Sequence, residues 1–328
     1  MKMISSEINV ELTNVCSMDC DFCSLSEITR KKGFMSDDVF YKTIDEITSE
    51  KLTKLVLPFL MGESLLHKQW FEYLSYLTYK CNNSNISTCL VTNGAQLNKK
   101  TVDLLKKTEL NDLYISCQQY NESGFDCRRI KQGITYETYM SQVFDSVKDL
   151  SVNSNLKVSV YYLNTTSELA QKTLGSGYVD TNNKGSDIVS LWYEKFKKWG
   201  IKTYQLEEKI DISDNAEQEI GLTDNFSIIF KPFTTWGHVL RGESYISPEG
   251  RKVYDISCSH IDGNTLAIFC DGQIGICCED YDAEINFGNI KDISLVDVLN
   301  SKKYKNVISN FKKGIPILEK CRNCLNLS

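Results

Sequence analysis

Short apolar runs alternate with stretches of helical spacing along the first two-thirds of the chain. The runs at 8–12, 55–58, 87–92, 113–117, 156–162 and 202–206 are candidate strands. Several are rich in Val, Ile, Thr and Tyr, which suit a buried, pleated surface. Between them, 36–47, 70–79, 101–108, 136–150 and 189–199 repeat apolar residues at helical intervals. Ser36 stands as an N-cap before Asp37 and Asp38, acids suited to a first helical turn. Alternation of strand and helix about six times predicts an α/β fold with a parallel sheet. A closed TIM barrel needs eight such units, so the expected fold is a partial (β/α)6 TIM-like barrel.

Beyond residue 206 the pattern changes. Residues 207–223 are polar and acidic and read as a linker. A strand is expected at 226–230. The runs 265–270 and 274–278 flank Asp271-Gly272-Gln273, a hairpin signal. Residues 294–311 read as one or two helices, ended by Gly314-Ile315-Pro316. The expected division is a barrel core at 1–225 and a small α+β module at 226–328.

Composition narrows the chemistry. The chain has 328 residues, 41% of them hydrophobic, which is enough for a sizeable core. Its net charge of −6, without a basic run, argues against nucleic acid or an anionic membrane as partner. The first residues lack an apolar signal segment, and no apolar stretch is long enough to span a bilayer. A cytoplasmic protein is expected. Thirteen cysteines against three histidines then matter most. In a reducing compartment these are thiols rather than disulfides, and thiolate ligation selects zinc or iron–sulfur clusters.

Seven of the cysteines fall into two groups. Cys16, Cys20 and Cys23 follow the first expected strand, at the end where barrel active sites gather. The spacing C-x3-C-x2-C lets one loop wrap three corners of a cubane. A structural site wants four protein ligands. Three leave one iron open to a small molecule, which points to catalysis. The alternative is a zinc site completed from elsewhere. Phe22, between two of the cysteines, is either a core aromatic or a surface for a bound base.

The triplet with its preceding aromatic resembles the signature of the radical S-adenosylmethionine (radical SAM) superfamily. Downstream segments resemble the family in the expected order. Gly62-Glu63-Ser64 is similar to its Gly-Gly-Glu segment, with Met61 in place of the first glycine. The resemblance implies that Glu63 contacts the SAM ammonium. Thr92-Asn93-Gly94 is similar to the family's Thr-Asn-Gly turn. Ser116 matches a serine near the SAM ribose and carboxylate, and Arg129 an arginine that reaches the carboxylate, with Arg128 competing for that register. Phe22, Gly62, Glu63, Thr92, Asn93, Ser116 and Arg129 are thus the expected SAM contacts.

The second group is Cys258, Cys277, Cys321 and Cys324. A hairpin cysteine and a distant C-x2-C turn can close four thiolates around one metal, as zinc or as a cluster. C-x13-G-x4-C followed by a late C-x2-C resembles the SPASM/twitch extension of radical SAM enzymes. So does Phe287-Gly288-Asn289-Ile290. The chain stops four residues after Cys324, which resembles the shorter twitch form with one auxiliary [4Fe–4S] cluster. Cys270 and Cys278 compete with Cys277 as ligand; Cys277 keeps the glycine spacing. Cys81, Cys89, Cys117 and Cys127 read as buried apolar residues.

The resemblance implies reductive cleavage of SAM at a [4Fe–4S] cluster to a 5′-deoxyadenosyl radical, which takes hydrogen from substrate. A one-electron donor such as flavodoxin or ferredoxin is implied. A fully ligated auxiliary cluster suits an electron acceptor, and hence a two-electron oxidation of a small-molecule alcohol. That layout is similar to radical SAM alcohol dehydrogenases of the 2-deoxy-scyllo-inosamine dehydrogenase type. A peptide substrate is the alternative, with thioether or carbon–carbon crosslinking or epimerisation. With the first strand expected by about residue 8, no leader-binding domain is expected before it, which tilts toward the small molecule without excluding the peptide, since a leader binder can be a separate protein. A redox-neutral sugar epimerase would need a donor thiol such as Cys278. His238 and Arg241, in the bridge before Cys258, are candidate substrate contacts. A zinc-ribbon binding module would be colourless, whereas the enzyme would be brown with about eight irons.

Overall fold

A computed structural model describes residues 5–131, 133–164, 185–205, 217–232, 244–246, 252–254, 256, 258–278 and 280–324. These form two compact units. The first comprises Met1–Val15, Ser24–Thr88 and Thr234–Ser328; the second comprises Cys16–Cys23 and Cys89–Phe233.

In the first unit β1 (Ile8–Val10) runs parallel to β2 (Leu55–Leu57) on one side and β10 (Leu266–Ile268) on the other. β10 turns back antiparallel into β11 (Ile274–Gly275), the hairpin expected around Gly272. Gly272 has φ of +88°, a backbone that favours glycine. The C-terminal segment therefore shares a parallel ladder with the first strand. Helices α1 (Asp37–Ser49) and α2 (Trp70–Asn82) pack through Phe40 and Tyr73, stacked at 3.8 Å. Their core continues through Leu295, Val298, Tyr304 and Phe311 of α8 (Leu295–Asn300) and α9 (Lys302–Phe311). One apolar core thus joins the two ends of the sequence. The cap at Ser36 has the expected extended backbone, but its hydroxyl bonds Asp38 rather than a backbone N–H.

In the second unit β3 (Ser87–Thr92), from Cys89 onward, pairs in parallel with β4 (Asp112–Gln118). β5 (Lys157–Asn164) and β7 (Phe226–Pro232) extend the parallel series. The sixth parallel strand is therefore 226–232, not the expected 202–206. Phe226, Ile228, Ile229 and Phe230 are all buried, as a two-sided inner strand demands, whereas Lys202, Tyr204 and Gln205 are exposed and 202–205 forms no strand. The segment read as a linker also contains β6 (Gln218–Thr223), antiparallel to β7. Its largely exposed face gives an edge strand a weak apolar signal. Helix α5 (Tyr136–Asn153) buries Tyr139, Val143, Val147 and Leu150, and Trp192 of α6 (Gly185–Lys198) donates to Tyr162 Oη at 2.9 Å. Among the described residues, no helix is long and apolar enough to cross a membrane.

Candidate functional site

The cysteine triplet lies on a loop of the second unit, with Cys16, Cys20 and Cys23 all half-buried. None of the 13 cysteines is in a disulfide. Cys23 N–H donates to Cys20 O at 3.0 Å, so the C-x2-C step is a tight turn. The loop is fastened to the segment after α4 (Glu122–Asp126) by three backbone bonds. Asp19 N–H donates to Arg128 O (3.2 Å), Asp21 N–H to Cys127 O (3.0 Å) and Lys131 N–H to Ser17 O (3.0 Å).

The Thr-Asn-Gly turn ends β3 and faces the same loop. Asn93 Nδ2 donates to Cys16 Sγ at 3.4 Å and to Ser17 Oγ at 3.3 Å, while Asn93 Oδ1 accepts from Ala95 N–H. Thr92 Oγ1 accepts from Gly94 N–H, and Gly94 sits at φ +83°. A Cβ there would lie 2.9 Å from Tyr139 Oη. Asn93 therefore orients a thiol of the triplet. Ser116 precedes a bulge in β4, where Gln118 (φ +62°) donates from Nε2 to Ser116 Oγ at 2.9 Å.

The two neighbouring arginines part company. Arg129 is 64% exposed in its side chain and pairs with Asp21 at 2.5 Å. Arg128 is buried and lies against Cys20. Burial pushes the Cys20 thiol above its ordinary value, and the Arg128 charge pulls against that. Phe22 is half-buried on the same loop.

Glu63 and Gly62 belong to the first unit. Glu63 is buried; its N–H donates to Val15 O (2.9 Å), and its carboxylate accepts from Leu65 N–H, capping a 3-10 turn at Ser64–Leu66. Gly62 passes so close to β1's exit that a Cβ would lie 2.2 Å from Thr13 O. Gly62→Ala is expected to force the two backbones apart and cost about 1–3 kcal/mol, read as a lower midpoint in chemical denaturation.

Also in the first unit, Cys258, Cys277, Cys321 and Cys324 are half-buried, the last two on α10 (Glu319–Cys324). The Cys321 thiol is pushed up to about 12 by burial and by the nearness of Cys258 and Cys324. Burial likewise raises Cys277, with Cys278 and Cys321 adding to it. Cys321 thus lies near Cys258, Cys324 and Cys277. Cys270 is not among them: its N–H donates to Glu11 Oε2, and burial beside Glu11 pushes its thiol up to about 12. Glu11 is itself held by Arg30 in a buried pair at 2.9 Å. Cys278 Sγ lies 3.5 Å from His260 Nε2. Asp280, fully buried, accepts from Glu284 and Ile285 N–H, and burial raises it to about 6. Cys81, Cys89 and Cys117 are buried as expected; Cys127 is half-buried because its Sγ reaches Ser123 O at the surface of α4. His238 and Arg241 lie outside the described residues.

No three His, Cys, Asp or Glu side chains among the described residues converge closely enough for one metal ion. A cubane asks for less convergence, because each thiolate binds its own iron. The buried Arg128 guanidinium beside Cys20 also fits an anionic, thiolate-ligated group. The family model described as Radical SAM superfamily matches residues 10–161, and that of an iron–sulfur cluster-binding domain, SPASM, matches residues 258–325.

The chain carries a radical SAM domain and a SPASM domain. The cofactors of this pair are S-adenosylmethionine and two iron–sulfur clusters. Among curated proteins, the antilisterial bacteriocin subtilosin biosynthesis protein AlbA of Bacillus subtilis (strain 168) is 25% identical over 189 residues. That match covers 55% of this chain and 40% of AlbA, so the chain spans about two-fifths of that relative's length. Among solved structures, BtrN in complex with AdoMet and 2-DOIA is similar with a TM-score of 0.53 and 14% identity, covering 96% of this chain and 89% of BtrN. SuiB of Streptococcus suis bound to precursor peptide SuiA has a TM-score of 0.53 and 14% identity, covering 93% of this chain and 67% of SuiB. These likenesses show the fold: an α/β partial barrel of the radical SAM type with a C-terminal SPASM module. The sequence offered Arg128 only as a rival to Arg129 and did not show its burial; a lone arginine in a turn carries no periodic signal of burial.

Proposed function

We propose that this chain is a radical SAM oxidoreductase that oxidises a small-molecule alcohol, a sugar or cyclitol, by two electrons. Cys16, Cys20 and Cys23 hold the first cluster and leave one iron for SAM. Cys258, Cys277, Cys321 and Cys324 hold the second. When bound, the first cluster and SAM supply one-electron, hydrogen-abstracting chemistry. Asn93 fixes the direction of the Cys16 thiolate, and by family resemblance Glu63 takes the SAM ammonium. Phe22, Thr92, Ser116 and Arg129 are proposed SAM contacts, and His238 and Arg241 substrate contacts. Oxidation removes one hydrogen atom, one electron and one proton from the substrate carbinol. The reading rests on the four thiols grouped around Cys321 in the first unit, a set that would fully ligate a cluster and suit it to take that electron. BtrN, similar over nearly the whole of both chains, supports the small alcohol.

The second reading is modification of a peptide, favoured by the 25% identity to AlbA. Both are tested by anaerobic incubation of reconstituted protein with SAM, dithionite and a panel of deuterated cyclitols, aminocyclitols and sugars. Deuterium in 5′-deoxyadenosine together with a trapped ketone supports the alcohol. Deuterium returned to substrate with inverted stereochemistry selects epimerisation. No transfer from any member, with transfer from a deuterated peptide encoded beside this chain, replaces the alcohol by the peptide.

A further inference from the structure

A guanidinium withdrawn from water costs several kcal/mol unless anions or a full set of acceptors receive it. Arg128 is 1% exposed. Its Nη1 donates to Cys117 O (2.8 Å), Gln119 Oε1 (2.9 Å) and Tyr139 Oη (3.0 Å), and its Nη2 to Asn93 O (3.2 Å). All four acceptors are neutral. Its Nε has no hydrogen-bond partner. Among the described residues no carboxylate pairs with it.

Gln119 sharpens the point. It is fully buried, gives its carbonyl oxygen to Arg128, and leaves its own Nε2 without a partner. A glutamate would fill the same volume, accept the same bond, remove the orphaned donor and cancel the charge. The chain carries the amide, so the positive charge stays uncompensated by protein. What lies against the guanidinium is the Cys20 thiol, with Asp19 as the other charged group acting on it. The backbone bonds on either side of Arg128 hold the two together.

We propose that the unneutralised charge of Arg128, braced by Gln119 and Tyr139 and pressed against Cys20, raises the reduction potential of the cluster bound by Cys16, Cys20 and Cys23. This rests on the iron–sulfur reading above. Reduction adds one electron, drawn from an external one-electron donor, and no proton. A fixed cation beside a sulfur ligand favours the reduced form, and does so more strongly in a dry interior than in water. Arg128 is a positioning residue: it sets the field at the cluster through Cys20.

The test is a dithionite titration of full-length, reconstituted protein followed by electron paramagnetic resonance. The first cluster is identified as the signal absent from the Cys16→Ala/Cys20→Ala/Cys23→Ala protein. Arg128→Gln and Gln119→Glu are each expected to lower the reduced-to-oxidised ratio of that cluster about tenfold at a fixed potential, roughly 59 mV for one electron. Arg128→Lys, which keeps the charge, stays within about threefold. The auxiliary signal does not move. Wild-type potentials in Arg128→Gln and Gln119→Glu proteins with full iron overturn the proposal. Should Arg128→Gln not fold, Gln119→Glu decides alone, because it keeps Arg128 and the packing. Wild-type protein that takes up no iron overturns the cluster reading itself, a different result from unshifted potentials.

Discussion

Replacing Cys16, Cys20 and Cys23 together by alanine is expected to reduce reconstituted iron from about eight to about four per chain and to abolish SAM cleavage. The three thiols sit on one loop pinned to the backbone around Arg128, so their loss removes a whole cluster. The second cysteine group lies in the other compact unit and keeps its own ligands. The measurement is iron and sulfide content with 5′-deoxyadenosine production under dithionite. Loss of all iron would mean that the two groups do not bind independently. Undiminished cleavage would remove the triplet from the chemistry. Zinc in anaerobically prepared native protein would return the chain to a binding-module reading.

The second large effect is expected from Cys277→Ala combined with Cys321→Ala. Iron again falls from about eight to about four. Here 5′-deoxyadenosine still forms, because the triplet is untouched, but the oxidised product is lost. That split distinguishes an electron acceptor from a cluster needed for SAM cleavage. Cys258, Cys277 and Cys321 pack against the core formed by α1, α2, α8 and α9, so a lower melting temperature accompanies the loss. Metal bound there would also contribute folding energy, since burial disfavours the bare thiolates of Cys277 and Cys321. Retained product formation would overturn the acceptor role.

The strands at 8–10, 55–57, 87–92, 112–118 and 157–164 were legible because each is a compact apolar run beside a helical pattern. The strand at 226–230 was legible as a strand, but its place as the sixth parallel strand was not. Residues 226–232 follow the change of pattern and read as the start of a new module, yet they bury Phe226, Ile228 and Phe230 beside β5. Strand pairing is a contact between distant residues, and the local run does not name its neighbour. The same holds for β10, which pairs with β1 across most of the chain length.

The sequence by itself determined the chemical character of the site. Two spaced cysteine groups offer thiolates as the ligands for a metal group, and spacing within a loop is a local property that survives any arrangement of the rest. The tertiary structure decided the surroundings of each thiol. It turned Arg128 inward to Cys20 and Arg129 outward to Asp21. It gave Cys270 to Glu11 and grouped Cys321 with Cys258 and Cys324. Burial and charge at a point are sums over residues far apart in the chain, so they exist only once the chain has folded.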